Sequence, residues 1–138
     1  MNQSLLLWPL VAQVVLVIVL FIRLGQVKDR ARATGAVDLV VTALDNDAWP
    51  DEVRQVANNI RNQFQVPVLF FVLVLALFAH GSADVFALVL AWLFVASRVA
   101  HSYIHIGSNY VPNRTRAFKL SLLFVAGLTA LLIRALIA

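Results

Sequence analysis

Four long apolar segments constrain this chain more than any other feature of its sequence. They cover residues 5–24, 52–80, 84–109 and 117–138. About 20 apolar residues in a helix cross the hydrocarbon of a bilayer, which offers the backbone no other hydrogen-bonding partner. We therefore predict an all-α integral membrane protein, with one domain of four transmembrane helices per subunit.

The composition agrees with this prediction and excludes several kinds of site. Charged residues make up 13% of the chain, whereas they make up about 25% of a soluble domain. The sequence contains no cysteine, which excludes disulfides, thiolate metal sites and a cysteine nucleophile. The first apolar segment is long enough to span and has no basic stretch before it, so we expect an anchor and not a cleaved signal peptide.

Basic residues lie almost entirely on one side of the predicted helices. Ten of the eleven Lys and Arg residues belong to the two connections that follow the first and third spans, or to the helix ends beside them. They are Arg23, Lys28, Arg30, Arg32, Arg54, Arg61, Arg98, Arg114, Arg116 and Lys119. Basic connections stay in the cytoplasm. We therefore predict cytoplasmic basic loops, both termini on the opposite side, and no nucleic-acid partner despite the net charge of +4.

Two polar stripes occur at the predicted cytoplasmic ends of the second and third helices. The second-helix stripe has the spacing of a single helical face and consists of Arg54, Asn58, Arg61, Asn62 and Gln65. The third-helix stripe has similar spacing and consists of Arg98, His101, Ser102, His105 and Asn109. We expect the two stripes to face one another and to form a polar pocket that Arg114 and Arg116 close. We also expect Pro67 to kink the second helix.

The stripes could be hydrogen-bonded contacts between helices or a functional site. Contacts between helices explain any single Asn, Gln or Ser, and Gln13 of the first helix is expected to bond in this way. Arg98, His101 and His105 favour a site, because ionisable residues are costly inside a membrane. The spans hold no nearby acid for four arginines, namely Arg54, Arg61, Arg98 and Arg114. This surplus of cationic donors favours an anionic ligand. We predict no metal, because a zinc site with two histidines lacks a third ligand here.

The stretches "NNIRNQFQVPVLFF" and "RVAHSYIHIGSNYVPNRTRAF" resemble the MAPEG family, the membrane-associated proteins of eicosanoid and glutathione metabolism. The most specific part is Arg-x-x-His-x-x-x-(His/Tyr) followed by Pro-x-Arg, and the form here looks most like that of bacterial members. The resemblance implies a homotrimer of four-helix subunits in a bacterial inner membrane, with periplasmic termini. It also implies that glutathione is held as an anion by arginines between neighbouring subunits, near the cytoplasmic face.

The resemblance also implies roles for individual positions. Arg114 matches the arginine that stabilises the glutathione thiolate, and His105 occupies the place of a tyrosine. These two are the predicted catalytic residues. The positions predicted to bind glutathione are Lys28, Asn58, Arg61, Asn62, Gln65, Arg98, His101 and Thr115.

Three positions depart from the family pattern. Gln65 replaces a glutamate that contacts glutathione, Asn58 replaces an arginine found in some members, and Phe118 replaces a tyrosine near the thiol. We expect a glutathione-dependent transferase or peroxidase that acts on a lipophilic electrophile or a lipid peroxide. The alternative is a non-catalytic accessory protein that binds lipid. A channel or transporter has less support, because the sequence shows no inverted repeat.

Overall fold

The computed structural model describes residues 2–138 and shows a bundle of four long helical rods. These rods are α1 (Leu7–Ala33), the pair α3 (Asp51–Gln63) and α4 (Val66–Ala79), α5 (Val85–Ile106) and α6 (Val111–Ile137). A short helix, α2 (Leu39–Thr42), lies in the first connection. Each rod is long and apolar enough to cross a membrane. The predicted all-α architecture with four membrane-length helices is therefore confirmed.

The second rod is broken and not simply kinked. α3 ends at Gln63, and α4 begins at Val66 after a backbone excursion at Gln65, where φ is −107° and ψ is −102°. Pro67 is the second residue of α4, a position at which a missing N–H costs no helical hydrogen bond. Inside a continuous helix its ring would clash with the carbonyl of Gln63, so the chain breaks just before the proline.

Two apolar clusters hold the rods together. In one, the rings of Phe70 on α4 and Phe94 on α5 stack with their centroids 4.2 Å apart, and Leu128 of α6 packs beside them. In the other, Val27 of α1 and Val53 of α3 pack together with other buried side chains of the two helices. The outward faces of the rods carry large exposed apolar side chains, as lipid-facing surfaces do.

Contacts at the two ends of the bundle define which loops lie together. At one end, Gln3 Nε2 donates to the carbonyl of Gly81 at 2.8 Å, and Arg134 forms an ion pair with Asp84 at 3.1 Å. At the other end, the first connection and the residues after α5 lie beside α3. Both basic connections therefore share one end, and both termini share the opposite end. The side of the membrane on which each end lies stays a prediction.

Candidate functional site

A hydrogen-bonded network in the interior joins α1, α3 and α5. At its centre is Gln63, whose Oε1 accepts from Gln13 Nε2 at 3.1 Å and from Arg98 Nε at 3.3 Å. Gln63 Nε2 donates to Ser102 Oγ at 2.9 Å and to Asn59 Oδ1 at 3.2 Å. We call these five residues the interior network. The expected bond of Gln13 to a neighbouring helix is confirmed.

Arg98 belongs to this network and has no exposed surface. Besides its bond to Gln63, its Nη2 donates to the carbonyl of Asn62 at 3.2 Å. The guanidinium therefore holds the last turn of α3 in place. Arg98 was predicted to bind glutathione, and the structure places it behind the residues that line the nearby cleft.

A polar cleft of about 300 Å³ lies at the basic end of the bundle, between α3 and the junction of α5 with α6. Its lining consists of Gln55, Asn58, Arg61, Asn62, Gln65, His105, Asn109 and Arg114. We call this site the cleft. It brings together six of the predicted site residues from three separate helices.

The cleft is cationic and lacks a neutralising acid. Its lining includes Arg61 and Arg114 but no carboxylate. The Arg114 guanidinium bonds to an uncharged group, with Nη1 donating to Asn109 Oδ1 at 2.6 Å. In the described part of the chain neither arginine has an ion-pair partner. Two guanidinium groups without counter-charges have the chemistry to bind an anion.

Arg54 differs from these two arginines, because the acids of the first connection and of the start of α3 lie beside it. Its guanidinium lies 3.3 Å from Asp47 Oδ1 and 3.3 Å from Asp51 Oδ1. The first connection folds back over α3 and supplies the acid that the spans lack.

A smaller recess of about 200 Å³ adjoins the cleft and shares Asn62 and Arg114 with it. Its other lining residues are His101, Thr115 and Phe118. His101 Nδ1 lies 3.1 Å from the carbonyl of Arg114, which can only accept a hydrogen bond, so Nδ1 carries a proton. The Nε2 of the same ring is buried and has no partner among residues 2–138. This nitrogen is therefore free to bond to a ligand.

The remaining predicted residues lie at the margins of the site. The Lys28 ammonium lies 4.7 Å from the centre of the Trp49 ring, in a separate recess that shares Asn58 and Arg61 with the cleft. Arg116 was expected to close the pocket, but it lines neither the cleft nor the recess. It is exposed, and its Nη1 donates to Asn113 Oδ1 at 3.3 Å.

The expectation that the two stripes face each other is only partly correct. α5 meets α3 through Asn59 and Gln63, which belong to a different face from the predicted stripe. Ser102 and Arg98 bond to that face, while His105 and Asn109 reach the cleft. Sequence reasoning missed Asn59 and Gln63, although their i, i+4 spacing on the Val56 and Ile60 side of α3 was a signal for a buried polar pair.

Comparison with known proteins identifies a family. Neither a search of curated proteins nor a search of solved structures finds a similar chain. The model of the MAPEG family matches residues 6–134, which is nearly the whole sequence. This match agrees with the four membrane-length helices and with the resemblance of the two polar stretches. The chain belongs to the MAPEG family.

Proposed function

We propose that this protein is a glutathione-dependent membrane transferase or peroxidase. Glutathione would occupy the cleft as an anion, and a lipophilic electrophile or lipid peroxide would be the second substrate. The observation that carries the proposal is the pair of guanidinium groups, Arg61 and Arg114, in a cleft whose lining has no carboxylate. Membership of the MAPEG family supports it, since the family includes glutathione-dependent enzymes.

The main task of such a site is to ionise the thiol. A thiol has a pKa of about 8.5 and is mostly protonated at neutral pH. A guanidinium beside the sulfur that lowered this pKa by about two units would supply about 2.7 kcal/mol and make the thiolate the main form. Arg114 suits this role because it borders both the cleft and the recess.

The other residues would bind glutathione or take part in the reaction. Arg61, Asn62 and Gln65 line the wall of the cleft that would position the tripeptide. His101 and Thr115 would bond to it from the recess, and His105 would donate a hydrogen bond or a proton to the reacting group. Lys28 and Asn58 lie at the outer margin, where they would add charge and polarity.

The second substrate would reach the thiolate from the bilayer through the recess, where Phe118 offers an apolar wall. In the transfer reaction the thiolate sulfur forms a bond to carbon, and the leaving group departs with the electron pair. With a peroxide, the sulfur takes the distal oxygen and releases an alcohol, and a second glutathione yields the disulfide and water. We further propose a homotrimer in which the neighbouring subunit covers the exposed side of Arg61 and Gln65.

The test is a difference spectrum in the ultraviolet on full-length protein in detergent. Addition of glutathione to the wild type should produce the absorbance of a thiolate at neutral pH. Arg114→Ala should lose most of this signal, with a shift of about two units in the apparent pKa of the bound thiol. A wild type that binds glutathione without forming thiolate would contradict the enzymatic proposal.

A non-catalytic lipid-binding role is the second candidate, and two positions favour it. His105 and Phe118 stand where the known enzymes carry tyrosines, so two phenolic hydroxyl groups near the thiol are missing. This candidate predicts no thiolate signal, together with stabilisation of the protein by phospholipid in the same experiment.

A further inference from the structure

We infer that Asn109 is a positioning residue whose side-chain amide holds the Arg114 guanidinium over the cleft without neutralising its charge. The inference rests on the proposed function, since it concerns the arginine placed beside the thiolate. The direct evidence is the bond from Arg114 Nη1 to Asn109 Oδ1, which measures 2.6 Å. Both residues line the cleft.

The backbone of Asn109 has the conformation that brings its side chain to this place. Its φ is 51°, and it is the one non-glycine residue between residues 2 and 138 with a positive φ. Asparagine tolerates this left-handed conformation better than most residues. The Asn109 N–H donates to the carbonyl of Ile104 at 2.8 Å, which ties the backbone of Asn109 to the last turn of α5.

α3 braces the same turn from the other side. Gln55 Nε2 donates to the carbonyl of His105 at 2.6 Å and to that of Gly107 at 3.2 Å. Gly107 has no room for a side chain, because a Cβ there would lie 2.9 Å from the carbonyl oxygen of Tyr103. The turn is therefore held on two sides, and Asn109 keeps Arg114 at a fixed position relative to His105.

The amide of Asn109 differs from a carboxylate in its effect on the charge of Arg114. A carboxylate at residue 109 would hold the guanidinium equally well but would neutralise the charge that stabilises a thiolate. The Asn109 amide accepts the same hydrogen bond and leaves the positive charge available to the ligand. Arg114 is thus held in position and keeps its full positive charge.

Two substitutions of Asn109 separate the position of the Arg114 guanidinium from the charge beside it. Asn109→Gly keeps the left-handed backbone and removes the acceptor. Asn109→Asp keeps the acceptor and adds a negative charge. The matched control is Asn113→Asp, because Asn113 makes the same kind of amide bond to Arg116 on the same helix but outside the cleft.

The experiment titrates the thiolate absorbance of glutathione bound to each full-length variant. Asn109→Asp should raise the apparent pKa of the bound thiol by about one unit, and Asn109→Gly by about half a unit. Asn113→Asp should leave the value close to that of the wild type. An equal shift in Asn113→Asp and Asn109→Asp would overturn the inference, as would the absence of a shift in both Asn109 variants.

A second readout does not depend on glutathione. Phenylglyoxal modifies free guanidinium groups, and the rate at Arg114 can be followed by mass spectrometry of the protein without ligand. Asn109→Gly should speed modification of Arg114 severalfold, whereas Asn113→Ala should speed it at Arg116 alone. Equal rates at Arg114 in the wild type and Asn109→Gly would overturn the inference. If the wild type forms no thiolate, the proposed function fails, and these rates still decide whether Asn109 holds Arg114.

Discussion

The face of α3 formed by Asn59 and Gln63 differs from the face formed by Asn58 and Arg61, which Gln65 adjoins in the break after α3, although both consist of polar side chains. The first face is buried, and Gln63 bonds to partners on α1 and α5. The second face is exposed, and Arg61 has no acidic partner in the part of the chain that the structure describes.

Burial and bonding separate structural from functional polar residues in a membrane bundle. Buried polar groups that are bonded to one another join helices and stabilise the fold. Exposed cationic groups without counter-charges retain the capacity to bind a ligand. By this criterion the bonds of Arg98 to Gln63 and Asn62 join α5 to α3, whereas the exposed Arg61 and the half-buried Arg114 are the candidates for ligand binding.

The largest expected effect concerns the stability of the buried face. Gln63→Ala would remove the side-chain amide that bonds to Gln13, Asn59, Arg98 and Ser102. Arg98 would stay buried with one remaining bond. We expect the free energy of unfolding to fall by about 3 kcal/mol, because each orphaned buried polar group costs about 1–3 kcal/mol. Thermal unfolding in detergent measures this loss.

The matched control for this prediction is Gln65→Ala, two residues further along the chain. Gln65 is exposed at the break between α3 and α4, so its loss should change the free energy of unfolding by about 0.5 kcal/mol or less. Equal destabilisation by the two variants would contradict the claim that only the buried face stabilises the fold.

The next effect compares two arginines of the same helix. Arg61→Ala should weaken glutathione binding about tenfold, since it removes one charge-assisted contact. Arg54→Ala should change the affinity about twofold or less, because the Arg54 charge is already compensated by Asp47 and Asp51. Equilibrium dialysis with labelled glutathione measures both, and equal losses would show that only net charge matters.

The smallest effect concerns the recess beside the cleft. The Phe118 ring lies 6.1 Å from that of His101, centroid to centroid, and offers no hydroxyl group. Phe118→Tyr should lower the apparent pKa of the bound thiol by about half a unit, because one hydrogen bond contributes about 0.5–1.5 kcal/mol. The control is Phe124→Tyr, because Phe124 lies on the same helix but packs against the apolar cluster that contains Phe70 and Phe94. A rise in the pKa of the bound thiol in Phe118→Tyr would show that the sulfur does not lie beside residue 118.

The sequence was sufficient for the parts of the molecule that depend on local pattern. Runs of apolar residues predicted the four rods, and helical spacing predicted one polar face from Arg54 to Gln65. Asn58, Arg61 and Asn62 line the cleft from α3, whereas Gln65 lines it from the break after that helix. The position of the break at Gln65 was harder to predict from the sequence. Pro67 indicates a disrupted helix but does not identify which residue before it leaves the helical conformation.

The parts that sequence reasoning missed depend on contacts between distant segments. Arg54 is neutralised by Asp47 of the first connection, and that pairing depends on how the connection folds over α3. The interior network depends on the rotation of α3 about its own axis, which decides whether Gln63 or Gln65 faces α5. Helical periodicity identifies faces but does not show which of two polar faces is buried.

The most direct test of the account is a calorimetric titration of glutathione into the full-length protein at low salt. We predict binding by the wild type that weakens as salt is added, because the contacts are ionic. The double variant Arg61→Ala/Arg114→Ala should bind about 100-fold more weakly and unfold at an unchanged temperature. Absence of binding by the wild type, or equal affinity in the double variant, would contradict the claim that the cleft is a glutathione site.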